Sequence, residues 1–516
     1  MRHALVIFRK DVRRLGVPLA GFVALMAIFG WMEAVLPRRR EFQSFPYTFE
    51  ILLLIAGVYL AVMAMHQEAL PGDRQYWITR PISRGNLFLS KAIFILVFFN
   101  LPVFGGNLAA LIANGLSPVA FLVPLIAKQV FLTALLILPV MVLASLTRDL
   151  GQFVIALFVV FAVVLVTALE FSEFPASTNW GGFAWIRTSA IALIAIAASV
   201  AALALQYRQR RTVASAAIAI AGVMVCAAAP GINLWHTAFQ LRSGTPPSAL
   251  RLTLDATRDL TPGRGVFGIP RGTERYVRIL LPVRLSGIPA GSQLLSERIA
   301  ARIQNADGTV WSSGWNDAGG TYRLEGEKTL LPQDGAYWQY FYIDRPLYER
   351  VKDAPADLRT SAAFTLLSAA ATTRLATPTR LSFVPAFGYC ATSANGMGEG
   401  KTINSVLVAV CLAPFQLPEW SAMYIQSRRT GRIEEFGRPQ GSIPSATDQP
   451  RAYGPYPVNL YASAWDLLGD VKPVYNGADF DVLLESRRAL AHFERDLEFR
   501  GIRLAQYRDL PPGGAQ

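Results

Sequence analysis

The stretch GQFVIALFVVFAVVLVTAL, residues 151–169, decides the fold class of the N-terminal half of the chain. It contains no charged residue, and its length is close to the ~20 residues that a helix needs to cross the hydrocarbon core of a bilayer. Six more apolar stretches of similar length flank it: Gly16–Leu36, Tyr47–His66, Ala92–Ala113, Gln129–Leu146, Ser189–Leu205 and Val213–Ile232. Together they predict a polytopic α-helical membrane domain with about seven transmembrane helices.

Two apolar segments need a separate interpretation. Ser117–Ala127 is shorter than a span, and we expect it to be interfacial or re-entrant. Val213–Ile232 is rich in Ala and Gly and contains Pro230, which makes it the weakest of the seven candidates. The alternative is a bundle of six spans in which Val213–Ile232 is a buried helix of the soluble part of the chain.

Composition divides the chain near Leu234. The 516 residues are 52% hydrophobic and 16% charged, whereas soluble proteins carry about 25% charged residues. This excludes a disordered protein, a coiled coil and a fully soluble enzyme. Residues 1–233 hold 18 basic and 9 acidic residues, and the remainder holds 31 and 27. The basic excess therefore lies between the apolar stretches and predicts membrane topology, not binding to nucleic acid.

The distribution of Lys and Arg predicts the orientation. With the N-terminus in the cytoplasm, thirteen basic residues flank the spans on that side: Arg2, Arg9, Lys10, Arg13, Arg14, Arg74, Arg80, Arg84, Lys91, Arg148, Arg208, Arg210 and Arg211. The opposite side holds five: Arg38, Arg39, Arg40, Lys128 and Arg187. We therefore expect a cytoplasmic N-terminus, and seven crossings then place the C-terminal half outside the cytoplasm.

Two segments on the expected cytoplasmic side have an unusual pattern. Residues 1–15 place Ala4, Leu5, Phe8 and Val12 at helical spacing, which is typical of an amphipathic helix in the headgroup layer. The alternative is a basic flank that only orients the first span. The segment Glu68–Lys91 is too rich in charge and turn formers to be embedded and too apolar for a bare linker. It is typical of an interfacial docking surface.

The order of residues in this segment resembles the type-2 ATP-binding-cassette (ABC) exporter permeases. The matching positions are Glu68, Gly72, Trp77, Ile78, Arg80, Pro81, Ser83, Arg84 and Lys91. The resemblance covers roughly residues 1–210. It implies that the N-terminal helix and the residues Glu68, Gly72, Trp77, Arg80, Pro81 and Arg84 contact a separate cytoplasmic ATPase subunit. The family usually has six spans and lacks a large extracytoplasmic C-terminal domain, so the resemblance leaves the second half of this chain unexplained.

The second half has the pattern of a mainly-β, sandwich-like soluble domain. From Leu250 onward, short apolar runs alternate with Gly, Pro, Asn and Asp, and Asn305–Gly308 is typical of a hairpin turn. Aromatic residues between Trp311 and Tyr342 either line a ligand groove or, more commonly, form the core. Cys390 and Cys411 either form a disulfide or are two buried thiols; an extracytoplasmic location favours the disulfide.

Motifs for catalysis or cofactor binding do not emerge from the sequence. Residues 395–402, NGMGEGKT, approach a phosphate-binding loop, but Asn395 replaces its first Gly. Four histidines without metal-binding spacing argue against a zinc enzyme. We therefore expect no enzyme activity, metal or cofactor in this chain.

The sequence as a whole predicts three parts: an interfacial helix over residues 1–15, a transmembrane permease domain over 16–235 and an extracytoplasmic β-rich domain over 236–516. The expected function is the permease subunit of an ABC exporter in a bacterial inner membrane. Its expected partners are a cytoplasmic ATPase, the lipid membrane, and an identical or different second permease. The alternative is a membrane-anchored envelope sensor or scaffold whose β domain binds a ligand.

Overall fold

The computed structural model describes residues 2–35, 45–67, 83–113, 115–172, 184–229, 235–255, 276–305, 308, 310–317, 329–331, 335–397, 404–414, 420–434, 459–466 and 479–508. The N-terminal half of this described chain is helical. Its helices are α1 (Arg2–Arg14), α2 (Gly16–Val35), α3 (Phe45–His66), α4 (Arg84–Ile95), α5 (Leu101–Ala113), α6 (Leu122–Leu132), α7 (Leu138–Leu146), α8 (Leu150–Ser172), α9 (Ala184–Gln209) and α10 (Thr212–Ala228).

Within the described residues, five segments are long and apolar enough to cross a membrane. They are Phe49–His66, Arg84–Ala113, Leu122–Leu146, Leu150–Thr167 and Ile186–Gln209. Helices α1 and α2 meet at an angle of 80°, and counting them as one broken span gives six. Helix α10 is apolar but shorter. The predicted membrane domain is thus present, with five or six helices of sufficient length.

Two of these spans contain a local π-helical turn. Leu96–Asn100 lies between α4 and α5, and Thr133–Ile137 lies between α6 and α7. The chain continues through each turn as one span. Such turns interrupt the regular backbone hydrogen bonding of a helix and are frequent at functional sites.

The expectation for Ser117–Ala127 is wrong for its second part. Helix α6 begins at Leu122 and belongs to the span that ends at Leu146. Pro124 lies in the first turn of α6, where a proline does not interrupt helical hydrogen bonding. Lys128, which the charge count assigned to an outer loop, therefore lies inside a span and is buried.

Helix α1 forms where the N-terminal pattern predicts a helix, and of its predicted apolar face only Leu5 is turned away from the bundle, because Phe8 and Val12 pack against it. Ala4, Ile7, Asp11 and Leu15 are buried, and Leu5 is exposed. The buried positions recur every three or four residues, which is the spacing of one helix face. This face contacts α4 at the beginning of the third span.

The C-terminal half is mainly β. After the short helix α11 (Trp235–Gln240), the elements are β1 (Arg251–Leu254), β2 (Tyr276–Ser286), β3 (Gln293–Asn305), β4 (Val310–Asp317), β5 (Thr329–Leu330), β6 (Gly335–Asp344), α12 (Arg345–Val351), β7 (Ala356–Leu367), β8 (Ala371–Ala376), β9 (Thr379–Val384), β10 (Gly388–Met397), β11 (Asn404–Ala413), β12 (Trp420–Ser427), β13 (Ile433–Glu434), β14 (Asn459–Asp466), β15 (Phe480–Arg487) and β16 (Ala489–Ile502).

These strands form two pairs of sheets, each pair around its own core. Sheets β1-β2-β6 and β16-β7-β3-β4 share one apolar core, which includes Ile279 from β2 and Phe364 from β7. Sheets β14-β11-β10-β9 and β13-β12-β15-β8 share a second one, which includes Leu407 from β11 and Val482 from β15. The predicted turn at Asn305–Gly308 does join two paired antiparallel strands, β3 and β4.

The β-rich half rests on the membrane half at two places. Phe121, just before α6, packs against Tyr389 in β10, with 5.8 Å between the ring centroids. Leu412 of β11 belongs to the same apolar cluster. Trp235 and Phe239 of α11 pack against Ala363 of β7, close to the beginning of α9. Both contacts involve the same end of the helix bundle, which is the end remote from α1.

Candidate functional site

The beginning of α4 is the described part of the predicted coupling site. Arg84 is its first residue, while Glu68, Gly72, Trp77, Arg80 and Pro81 lie outside the described residues. The Ser83 side chain caps the helix by accepting a hydrogen bond from the backbone N–H of Asn86 at 3.3 Å. Serine is a preferred residue at this position because it satisfies an otherwise unpaired donor.

Arg84 connects this end of α4 to α9. Its guanidinium donates a hydrogen bond to the carbonyl oxygen of Arg208 at 2.5 Å, in the last turn of α9. A cation at a helix C-terminus is favourable because the terminal carbonyls carry partial negative charge. The predicted coupling residue Arg84 thus lies where the third span begins and the α9 span ends.

A buried ion pair joins α1 to the same region. The Lys91 ammonium donates a hydrogen bond to Oδ2 of Asp11 at 2.8 Å, and the side chains are 2% and 0% exposed. Phe8 of α1 adds apolar contact, because its ring lies 6.4 Å from that of Phe94 and 5.9 Å from that of Phe98. The N-terminal helix is therefore fixed to the third span through both charge and apolar packing.

Sequence reasoning found Lys91 through the family resemblance and missed Asp11. The sequence does contain a sign of this role, because Asp11 is the only acidic residue among the first sixteen. Its position continues the buried row Ala4, Ile7 and Leu15, so the carboxylate faces the bundle. A lone acid on the buried face of a basic helix indicates a partner cation.

Further polar contacts tie four helices together close to this end. Nε2 of His66, the last residue of α3, lies 3.1 Å from the carbonyl oxygen of Ala144 and 3.0 Å from Oγ1 of Thr147. Gln206 of α9 donates to the carbonyl oxygen of Ser145 at 3.2 Å and to Oγ1 of Thr212 at 3.3 Å. Polar contacts of this kind fix the relative positions of α3, α7, α9 and α10.

In the β-rich half, Cys390 and Cys411 form a disulfide. They are directly opposite each other on β10 and β11, and both are buried. The phosphate-loop-like residues begin within β10 and lead to β11, its antiparallel neighbour. A phosphate-binding loop joins a strand to a helix, so this hairpin does not have that arrangement.

Two of the aromatic residues between Trp311 and Tyr342 belong to the core of the β-rich half. Tyr337 and Phe341 are fully buried between the first pair of sheets. Burial raises the pKa of the Tyr337 hydroxyl, although the hydrogen bond from Gln339 partly offsets this increase. These observations favour the core interpretation over a ligand groove lined by these two rings.

The two histidines of this half, 256 positions apart, both lie at the contact between α11 and the sheet: His236 on α11 and His492 on β16. Nε2 of His236 lies 2.9 Å from a carboxylate oxygen of Glu494. Nδ1 of His492 lies 2.9 Å from Oγ1 of Thr365, which donates to Glu297 at 2.8 Å. Among the residues that the structure describes, no group of three or more metal-binding side chains occurs. These contacts attach α11 to the β4, β7 and β16 sheet.

Comparison with models of known protein families, with curated proteins and with solved structures gave no match for this chain.

Proposed function

We propose that this chain is the permease subunit of an ATP-driven ABC exporter, coupled to a separate cytoplasmic ATPase subunit. The observation that carries the proposal is the buried Asp11–Lys91 pair, which joins the basic helix α1 to the third span. The exposed side of α1 carries Arg9, Lys10, Arg13 and Arg14. A helix that is exposed on one side and bonded to a span on the other is suited to transmit a force from a partner.

The distance between the two ends of the bundle supports this arrangement. Lys91 contacts α1, and Leu111, at the other end of the same span, belongs to the cluster that contacts the β-rich half. About twenty residues of helix separate them, which corresponds to ~30 Å, the thickness of a hydrocarbon core. A partner bound at α1 is then on the opposite side of the membrane from the β-rich half.

In this mechanism, closure of the ATPase pushes on residues 68–91 and on α1. The ion pair and the Arg84 contact pass the displacement to α4 and α9, and the bundle opens a path outward. Seven crossings, with α10 as the last, place the two β-sandwich modules outside the cytoplasm of a bacterial cell. A second permease, identical or different, completes the pathway, and ATP is hydrolysed on the partner chain.

The test is charge reversal at the docking segment. Arg80→Glu combined with Arg84→Glu replaces two cations, and like-charge contacts at an interface cost several kcal/mol. We expect normal membrane abundance, because neighbouring basic segments still orient the spans. We also expect loss of a co-purified ATPase subunit and loss of transport.

Two controls separate docking from folding. Arg84→Gln keeps a donor for the Arg208 carbonyl without the negative charge, so the ATPase is expected to remain bound. Arg251→Glu with Arg429→Glu reverses two exposed charges in the β-rich half and is expected to have no effect. If the docking variant keeps both its ATPase and its activity, or if no ATPase co-purifies with the native chain, the exporter function is wrong and the sensor alternative is favoured.

A further inference from the structure

Strand β9, at the edge of sheet β14-β11-β10-β9, carries two exposed apolar side chains. Phe383 is 58% exposed and Leu381 is 36% exposed, and both point to the same side because side chains alternate along a strand. In the other described strands, large exposed apolar residues occur singly: Val310 on β4, Ile433 on β13 and Leu490 on β16. Single residues of this kind are ordinary on a protein surface, whereas a group of them on an edge strand indicates an interaction surface.

This side of the sheet faces away from the core of its sandwich module. Tyr389 of β10 is directly opposite Phe383, and Leu412 of β11 is directly opposite Tyr389. The neighbouring pair, Cys390 and Cys411, lies in the apolar core between the two sheets of the module. Because successive residues alternate between the faces of a sheet, Phe383, Tyr389 and Leu412 share the opposite, outer face.

The same outer face rests on the end of the helix bundle. Tyr389 and Leu412 pack into the apolar cluster that contains Phe121. The ring centroid of Tyr389 lies 5.8 Å from that of Phe121 and 5.4 Å from that of Phe383. The bundle therefore covers the outer face at β10 and β11, and the row of rings continues past that contact to the exposed Phe383 on β9.

Phe121 marks the depth of this contact relative to the bilayer. The span Leu122–Leu146 begins at the residue that follows it. Val119 and Val123, two positions before and after it, are 81% and 76% exposed, so apolar side chains surround this end of the span. The headgroup layer of a bilayer is roughly 5–8 Å thick on each side, which is comparable to one ring-to-ring distance. The exposed face of β9 therefore lies beside the bundle at the level where the bilayer begins.

We propose that the outer face of β9 rests on the bilayer, with Phe383 and Leu381 in the headgroup layer. Lipid is the partner because the apolar face continues directly from a contact made at the beginning of a membrane span. Aromatic rings are favoured in this layer, where apolar and polar surroundings meet. Lipid then holds the second sandwich module at the membrane together with the bundle. This contact does not involve the ATPase and applies to an exporter and to a sensor alike.

Spin labelling of the purified full-length chain in phosphatidylcholine nanodiscs tests this contact. Cys226→Ala removes the free thiol, and Phe383→Cys then introduces a single site for a nitroxide label. Ile433→Cys in the same background is the matched control, because Ile433 is 53% exposed but belongs to the other sheet of the module, about 10 Å farther from the bundle. Oxygen concentrates in lipid, whereas a nickel chelate stays in water. We expect the ratio of oxygen to nickel collisions to be several times higher at position 383 than at position 433.

Photocrosslinking identifies what covers the face. With p-benzoylphenylalanine in place of Phe383, we expect illumination to give phosphatidylcholine adducts that mass spectrometry places at this position, and far fewer with the same replacement of Ile433. Equal collision ratios at the two positions overturn the proposal. A crosslinked dimer without lipid adducts also overturns it, since a second copy of the chain then covers β9. Loss or retention of an ATPase in the docking test leaves both measurements unaffected, so the two proposals fail separately.

Discussion

Asp11 explains how a strongly basic helix is held against an apolar bundle. Lys91 lies among apolar side chains of α4, including Phe94, and its ammonium needs a compensating charge. The carboxylate of Asp11 supplies it at 2.8 Å, from a helix on which Arg9, Arg13 and Arg14 are exposed. At this scale, the ion pair and the apolar contacts of Phe8 together hold α1 on the third span.

Asp11→Asn is expected to destabilise the chain more than any exposed substitution on α1. It leaves the Lys91 ammonium buried without its carboxylate partner, and breaking a buried pair costs about 3–5 kcal/mol. Unfolding of the detergent-solubilised chain measures the effect, with Arg13→Gln as the exposed control. Exchange of the two residues, Asp11→Lys with Lys91→Asp, should recover part of the loss. A melting temperature unchanged in Asp11→Asn would show that the pair does not hold α1.

For each of the two contacts at this end, the sequence pattern predicted one partner and not the other. The order of residues from Glu68 to Lys91 singles out Lys91 and Arg84, whereas Asp11 and Arg208 become partners only through the packing of α1 and α9. The pairs are 80 and 124 positions apart. Local sequence patterns do not report such distances, because they record which face of a helix is apolar and not which helix covers it.

Helix α10 packs closely against α9. Gly222 faces α9 so closely that a Cβ there would lie 2.6 Å from Cβ of Ala198. Small residues at helix contacts allow membrane helices to approach one another. The Ala- and Gly-rich composition that made Val213–Ile232 a weak span candidate is therefore what lets α10 pack against α9.

Gly222→Leu is expected to separate α9 from α10 and lower the stability of the membrane half. Forcing a large side chain into a packed contact costs about 1–3 kcal/mol. Gly21→Leu is the matched control, because a Cβ at Gly21 meets nothing within 4 Å. Thermal unfolding and membrane abundance of both variants measure the difference. Equal values for the two leucine variants would mean that α10 is not packed against α9 in the membrane.

Element types followed from the sequence better than element boundaries. Apolar length predicted the helices, and the change of pattern at Leu250 predicted the strands, which begin with β1 at Arg251. The span that contains Lys128 was cut short, because a charge within an apolar run was interpreted as the edge of the membrane. Strand β8 has little apolar content, and β15 lies between β12 and β8 in its sheet.

At the scale of the whole molecule, the two ends of the helix bundle carry different structures. Helix α1 and Arg84 occupy one end of the bundle, and the β-rich half occupies the other. Helix α8 has few buried residues, and its apolar side chains, such as Phe158 and Phe161, are exposed on the outside of the bundle. In a bilayer they contact lipid. The sheet order that completes this architecture was not predictable, since β8 pairs with β15 about a hundred residues later.

The two ends should lie on opposite sides of the membrane. The span Arg84–Ala113 carries the α1 contact at Lys91 and the β-domain contact at Leu111, separated by ~30 Å of helix. The Cys390–Cys411 disulfide fits an oxidising compartment beyond the cytoplasm. We therefore expect a reporter fused after Leu254 to be active only outside the cytoplasm, and one fused after Arg210 only inside it.

In the full-length chain, Arg251→Cys should react with a membrane-impermeant thiol reagent in intact spheroplasts, and Arg14→Cys only after lysis. If the reporter after Leu254 is active in the cytoplasm, one crossing fewer separates the two ends, and α10 is the helix that does not span.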